Sequence, residues 1–449
     1  MNLNIVFRTI GLAAVFLIAS SAHSENAAAA PPADAQGAAD SIAREIEQIR
    51  GLSFKRPVRV ESQSVASFGE YVSRELDQEI PQSIRQHYGT IVRTLGLYRG
   101  PPIEDFSSMM TTVMTSQVGA YYDPEKQSFF VVMSGMPELM QGVMYSHELY
   151  HALQDQYFGL VRYMDAGRND GAGAQNADSH LARTAVVEGE ATYMMSLWMM
   201  QRMMHKPPTR EAMATVMAMQ ANMGVDQLRE ALKQPEVAQM VGPDMQSAVD
   251  AAREIPSFIM DSMMAVYLKG AGFVFAVHEQ GWPAVEKLYT EYPPQSTEQI
   301  LHPEKWLARE APTAFEWPRL EKITALSDWE LLDDDVLGEF QWRIVFKEQG
   351  FAAEAESAAA GWDGDRYAVF KRKDSNATLL LLRTRWDSEK EAREFADVYE
   401  RVLAVKYADA PVSTRLVHKG VDVFVVEGGD EANLGTLLKI VKRAKYKRD

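Results

Sequence analysis

The sequence predicts an α+β protein in two parts: a mainly helical domain over residues 41–336, with a β-hairpin ahead of its central helices, and a small α+β domain over residues 337–449. Three observations support this division. Apolar residues recur every three or four positions through much of the first part, which is the helical period. Two short β-rich runs, 117–122 and 128–132, flank the turn-forming Asp123-Pro124-Glu125-Lys126. After Leu337, β-rich and helical runs follow one another as strand-strand-helix, strand-strand-helix.

From the N-terminus, residues 1–24 carry one positive charge at Arg8, an apolar run over 10–19, and small residues at Ala22 and Ser24, the pattern of a secretory signal peptide. That run is short for a bilayer span, and no other stretch offers about 18 uninterrupted apolar residues. The mature chain is therefore expected to have no integral membrane span. Residues 25–40, rich in Ala, Pro, Gly and Asp, are expected to form a flexible linker without core residues. Residues 41–50 and 61–97 read as helices, with Ile80, Ile84 and Ile91 at helical spacing.

The hairpin leads into a helix that Ser134 can cap, Pro137 can open and Gly159 can close. Leu139, Val143, Met144, Ala152 and Leu153 form its apolar stripe. A Gly-, Asn- and Asp-rich loop over 165–178 precedes a second helical pattern, from near His180 to Met204, and further helices follow over 210–280. In the C-terminal part, strands are expected at 367–371, at 378–386 and within 413–426, with helices at 388–404 and 433–444. Trp362 and Asp363 are expected in a turn before the first of these strands.

Composition narrows the class. Forty-six basic against sixty-two acidic residues give a net charge of −16, or −17 once residues 1–24 with their single Arg8 are removed. This argues against nucleic acid and anionic membrane surfaces as partners. With no cysteine there is neither a disulfide framework nor a lipid-attachment residue. An exported bacterial protein, periplasmic or extracellular, is expected, held together without covalent cross-links.

The chemistry centres on His147-Glu148-Leu149-Tyr150-His151. On a helix, positions four apart lie one above the other, so His147 and His151 can place two imidazole nitrogens on one ion. Glu148 then stands beside that ion, where a carboxylate can act as base toward water. A catalytic zinc site needs a third protein ligand, and Glu188 in Val187-Glu188-Gly189-Glu190-Ala191-Thr192-Tyr193 supplies one, 37 residues beyond His151. Glu190 is the alternative, but two residues along a helix turn a side chain by about 200°, so only one of the pair can face the ion. Small Gly189 and Ala191 would let helices approach closely around it. One Zn²⁺ is the expected cofactor.

These residues resemble the gluzincin clan of zinc metallopeptidases, in which His-Glu-x-x-His is followed by a glutamate ligand on the next helix. Glu188, Gly189, Ala191 and Tyr193 match the Glu-Gly-x-Ala-x-Tyr of that helix in aminopeptidase N-type enzymes and minigluzincins. Tyr267-Leu268-Lys269-Gly270-Ala271 resembles a Tyr-x-Lys-Gly-Ala segment whose tyrosine donates a hydrogen bond to the tetrahedral intermediate, which implies that role for Tyr267. Segments 151–156 and 293–303 are similar to a largely uncharacterised bacterial and archaeal gluzincin-like family, so the resemblance spans scattered blocks of residues 110–310. Two departures stand out. Some clan members place an aspartate four residues after the glutamate ligand, where this chain has Thr192, leaving Asp155 as the candidate to orient a histidine. Where the aminopeptidases carry Gly-x-Met-Glu-Asn, this chain reads Gly119-Ala120-Tyr121-Tyr122-Asp123, which favours endopeptidase action.

The expected function is thus zinc-dependent hydrolysis of peptide bonds in a peptide or protein substrate, with Glu148 and Tyr267 catalytic and His147, His151 and Glu188 on the metal. Asp155, Tyr193, His180 and His302 are further candidates for supporting or substrate contacts. The run 128–133 could accept an extended peptide as an added strand or be a buried central strand. Methionines between Met194 and Met204 read as flexible core filler in preference to a copper site. The alternatives are a non-catalytic zinc-containing binding or chaperone-like assembly protein, and a metallohydrolase acting on another carbonyl. Nothing in the sequence names a partner for the C-terminal domain.

Overall fold

The computed structural model describes residues 13–15, 35–115, 118–132, 138–166, 176–221, 223 and 255–446. The chain is α+β, with its strands gathered into a four-stranded sheet, a five-stranded sheet and a two-stranded pair.

Strand β1 (Ala13–Val15) falls inside the apolar run read as a leader. Helix α1 (Ala35–Arg50) buries Ala35, Ala39, Ile42, Ile46 and Arg50, one residue every three or four. The last six residues of the expected linker are therefore the start of a core helix. Alanine is both the best helix former and small enough to lie flush against a neighbour, and low hydrophobicity hid that. Strand β2 (Arg59–Ser62) then precedes α2 (Val65–Glu79) and α3 (Gln82–Leu95), which sequence periodicity merges into one helix. Ser64 caps α2 by accepting the Ser67 N–H, and Pro81 separates the two helices because it lacks an N–H and disfavours helical geometry at Ile80.

Helix α4 (Phe106–Thr115) leads to the hairpin of β3 (Val118–Asp123) and β4 (Ser128–Val131), which are antiparallel with Tyr121 opposite Phe130. Asp123 Oδ1 accepts the N–H groups of Glu125 and Lys126 and so closes the turn. β2 pairs parallel to β4 and β1 antiparallel to β3, giving the order β1-β3-β4-β2. β4 is thus paired on both edges and does not receive an added peptide strand.

The helical centre follows as α5 (Glu138–Phe158), α6 (Leu160–Asp165), α7 (Ala177–Met204), α8 (Arg210–Ala221), α9 (Ser257–His278), α10 (Trp282–Thr290), α11 (Thr297–Leu301) and α12 (Pro303–Leu307). Gly159, at φ +66°, ends α5 as expected, and Asn176 with Ser179 forms a capping box at the start of α7. Ser134, Pro137 and most of the 165–178 loop lie outside the described residues. Every α5 residue from 142 to 154 is buried, so the helix has no solvent face there. Among the described residues, α9 is the one helix long and apolar enough to cross a bilayer, and 61% of its most apolar window is buried inside the protein. The α7 methionines point into different surroundings: Met194 is buried beside α5, Met200 packs with a second cluster, and Met203 is exposed, so they form no common site.

The C-terminal part contains β5 (Phe315–Glu316), β6 (Trp329–Asp335), α13 (Gly338–Glu348), α14 (Ala355–Ala359), β7 (Trp362–Arg372), β8 (Thr378–Trp386), α15 (Glu389–Lys406), β9 (Thr414–Lys419), β10 (Asp422–Gly428), α16 (Leu434–Val441) and β11 (Lys445–Tyr446). The large sheet is antiparallel throughout, in the order β6-β7-β8-β10-β9. Its first strand starts at Trp329, eight residues ahead of Leu337. Trp362 and Asp363 begin β7 at a bulge and are not a separate turn. Along β8, Leu380 and Leu382 join the cluster of α13 and α15, while Leu379 and Leu381 join that of α16, which is the strand alternation in full. The first of these clusters also holds Ile84, Tyr88 and Leu95 of α3, so one core links the two parts of the chain.

Two buried carboxyls pin this junction. Asp365 accepts hydrogen bonds from the N–H groups of Leu337 and Gly338 and from the indoles of Trp342 and Trp362. Asp178, in the first turn of α7, accepts the Thr297 N–H at 3.0 Å and the Thr297 hydroxyl, and it lies against Gly338 at φ +80°. A Cβ at Gly338 would come within 1.8 Å of Asp178 Oδ1. Gly338→Ala is therefore expected to lower unfolding stability by about 2–4 kcal/mol in denaturant titrations, from the left-handed backbone and the clash together. Burial holds the Asp178 carboxyl well above the ordinary carboxylate range. Its folded-state value exceeds the unfolded one, so its contribution is complete below about pH 4 and is lost as pH rises toward the folded value. The melting temperature of Asp178→Asn relative to the unsubstituted chain should accordingly increase as pH rises above about 4, whereas a constant difference would contradict it.

Candidate metal centre

Helices α5 and α7 bring His147, His151 and Glu188 together, all buried. His147 Nε2 lies 3.1 Å from both His151 Nε2 and Glu188 Oε2, and His151 Nε2 lies 3.4 Å from Glu188 Oε2. The two imidazoles stand edge-on at 86°, as expected for ligands one turn apart converging on one point. Donors held tetrahedrally at 2.0–2.2 Å from one ion would be about 3.3–3.5 Å apart, so the three atoms fit a divalent metal. Among the described residues Glu188 Oε1 is buried without a hydrogen-bond partner, as befits a carboxylate directed at something other than protein.

Electrostatics favours the ligand forms of two of the groups. Burial alone would raise the Glu188 carboxyl, but the His151 charge and the hydrogen bonds from both imidazoles hold it below its ordinary value. Burial pushes the His147 ring down, toward the neutral form that binds metal. Burial also opposes charge on His151, but Glu188 outweighs it and lifts that ring to about 9. An ion would therefore displace a proton held between His151 and Glu188.

Glu148 is not one of the three donors. Its Oε2 accepts the Tyr122 N–H at 2.9 Å, so the hairpin strand β3 fixes the carboxylate beside the imidazoles. Tyr267 approaches from α9, its ring centroid 5.8 Å from that of His147. The approach depends on two glycines. A Cβ at Gly189 would lie 2.2 Å from the Gly270 carbonyl carbon, and one at Gly270 would lie 2.2 Å from the Ala185 oxygen. α7 and α9 thus cross backbone to backbone, less than a turn from Glu188 and from Tyr267.

The remaining candidates are placed elsewhere. Asp155 accepts the Tyr122 hydroxyl at 2.9 Å and the Leu160 N–H at 3.0 Å, and it orients no ligand histidine. Gln154 does so, with Oε1 at 2.8 Å from His151 Nδ1. Spacing could have found it, since position i+3 shares the face of His151, but a carboxylate is the more familiar partner. Tyr193 hydrogen-bonds His278 Nδ1 at 2.9 Å and packs on Phe275 and Trp282. His180 is buried at the start of α7, about 12 Å along the helix from Glu188 at 1.5 Å per residue. His302 meets Glu339 at 3.0 Å, and that hydrogen bond raises its pKa. Glu190 points away from the donors, toward Tyr150 and Tyr289. The Thr192 hydroxyl has no hydrogen-bond partner among the described residues, so it does not replace the missing aspartate.

Compared with known proteins, residues 329–438 match a family described as a domain of unknown function, DUF8575. The match covers the five-stranded sheet with α13 to α15 and most of α16, about a quarter of the chain, and leaves the metal centre outside it. No curated protein and no solved structure matches the chain.

The glycine crossing can be tested on one helix. Gly270→Ala should lower stability by about 3 kcal/mol, because the methyl meets backbone that cannot turn aside. Gly272→Ala, where an added Cβ meets nothing within 4 Å, should raise it by about 0.5–1 kcal/mol. Equal effects in thermal melts would contradict the crossing.

Proposed function

We propose that this chain is an exported zinc-dependent peptidase of the gluzincin type, acting within chains and not from their amino ends. Its main support is the convergence of three ligand-type donors with a fourth buried group, Glu148, that is a carboxylate and not a ligand. A purely structural metal site has no use for that residue, which weighs against a non-catalytic binding or assembly protein.

His147, His151 and Glu188 would hold the ion, which when bound supplies a Lewis acid toward a carbonyl oxygen and toward water. Glu148 takes the proton of the attacking water as its oxygen bonds to the carbonyl carbon, then returns it to the nitrogen as the C–N bond breaks. The Tyr122 N–H holds Glu148 in place through both transfers. Tyr267 donates a hydrogen bond to the carbonyl oxygen as that atom gains negative charge.

Two features of β3 favour cleavage within a chain. Asp123, the acidic residue of the segment that stands where aminopeptidases carry Gly-x-Met-Glu-Asn, is engaged with the turn N–H groups and with Lys126 at 2.8 Å. The outer edge of β3 pairs antiparallel with Ala13–Val15, and removal of residues 1–24 as a leader would free it to accept an extended backbone irrespective of sequence.

The deciding comparison is the mature protein beside Glu148→Gln, assayed for bound zinc and for cleavage of an unfolded protein such as casein. Both should hold about one ion, and the substitution should reduce cleavage roughly 10²–10⁴-fold. Zinc in both with cleavage by neither would favour a binding protein, and loss of zinc from both would remove the metal centre.

A further inference from the structure

Behind His151 lies a closed polar cluster that the proposed chemistry leaves unused. Gln154 presents Oε1 to His151 Nδ1 at 2.8 Å and Nε2 to the Tyr289 hydroxyl at 2.8 Å, Glu190 Oε2 at 3.0 Å and the Val187 carbonyl at 3.1 Å. Tyr150 and Tyr289 each donate to Glu190 at 2.6 Å. Arg50, from α1, donates its Nε–H to the Tyr150 hydroxyl at 2.9 Å and stands 3.5 Å from Glu190 Oε1. All five side chains are buried, and they come from four helices, α1, α5, α7 and α10.

The chemistry of the cluster fixes which way the amide faces. Around Nε2 stand a backbone carbonyl, a carboxylate oxygen, and a phenol oxygen whose own proton goes to Glu190. Turning the amide over would set its oxygen against all of them. Oε1 must therefore face the ring, and as an acceptor it requires the proton on Nδ1. Nε2 is then the ring atom directed at Glu188 and His147, and it offers its lone pair once an ion displaces the proton held there with Glu188. Burial and the charge of Glu190 keep Tyr150 and Tyr289 in their protonated, donating forms.

We propose that Gln154 is the positioning residue of the metal centre, fixing the tautomer and tilt of His151, and that the buried Glu190–Arg50 pair locks its amide in place. This rests on His147, His151 and Glu188 binding an ion. It assigns to a neutral amide the place that a carboxylate commonly takes behind a ligand histidine. The negative charge stands one hydrogen bond further back, on Glu190, and Arg50 neutralises it there.

The test measures ion binding by the mature protein, using zinc in chelator competition and the visible spectrum of cobalt(II). Gln154→Leu, similar in size, should weaken zinc affinity about 10–100-fold and alter the cobalt spectrum. Gln154→Glu keeps an oxygen acceptor toward His151 in either protonation state but sets a second oxygen against Glu190 in place of the donating Nε2. It should therefore hold zinc more tightly than Gln154→Leu and alter the cobalt spectrum less, and equal loss in the two variants would contradict an acceptor role. Unchanged affinity and spectrum in Gln154→Leu would overturn the positioning role. Should that variant fail to fold, the same two measurements on Gln154→Met, which also lacks the acceptor, would overturn it equally if both stayed unchanged. Absence of zinc from the unsubstituted protein would instead refute the metal centre beneath it.

Discussion

Everything around the candidate site depends on the contact of two glycines, Gly189 on α7 and Gly270 on α9, where one helix backbone rests directly on the other. Helix axes separated by ordinary side chains lie 8–10 Å apart, and a crossing without Cβ atoms falls at or below the short end of that range. That closeness lets α9 deliver Tyr267 to the His147 ring while Glu188, one residue before Gly189, faces the other way toward α5. A larger residue at either position would separate the ligand helix from the helix bearing the tyrosine. α5 meets α7 by a similar device, since Gly142 fits under the Trp198 ring.

The second constraint is polarity in a dry interior. His147, Glu148, His151, Gln154, Glu188 and Glu190 are all buried within two adjacent helices, a density that is tolerable only when every group has a partner of the right kind. The chain meets this by layering. Ligand-type donors face one another at the centre, an amide holds His151 from behind, a strand N–H holds the adjacent Glu148, and the compensating cation arrives from a distant helix. Glu188 and Glu190 lie two positions apart on α7 and so project on nearly opposite sides, which assigns one to the centre and the other to its support.

Local pattern was sufficient for the centre itself. The spacing of His147 and His151, the turn residues before Ser128, and the apolar run of β8 are all short-range signals, and each has its counterpart in the structure. What stayed hidden was long-range. Arg50 reads as the last residue of an ordinary helix until Tyr150 and Glu190 are seen beside it. β6 carries no strand signal in the sequence because its run of Asp333, Asp334 and Asp335 is poor strand material, although Tyr367, Arg366 and the start of α7 bind all three. Gln154 was overlooked in favour of Asp155 because charge drew attention from geometry. Residues 35–40 looked like linker because alanine and glycine carry no hydrophobic signal, only the small size that close packing needs.

The place of Arg50 also bears on how the molecule is assembled. A chain is made from its N-terminus, so α1 is complete long before the groups it serves: Tyr150 lies 100 residues later and Glu286 lies 236 residues later. Until then the guanidinium remains hydrated, and withdrawing it from water is favourable only once Glu190 and Tyr150 are both in position to receive it. Closure of the innermost polar layer is thereby deferred to a late step that joins the oldest part of the chain to much younger ones. Contacts of such long sequence separation form slowly, and they make the final packing of α1 a checkpoint on the correctness of the whole helical centre.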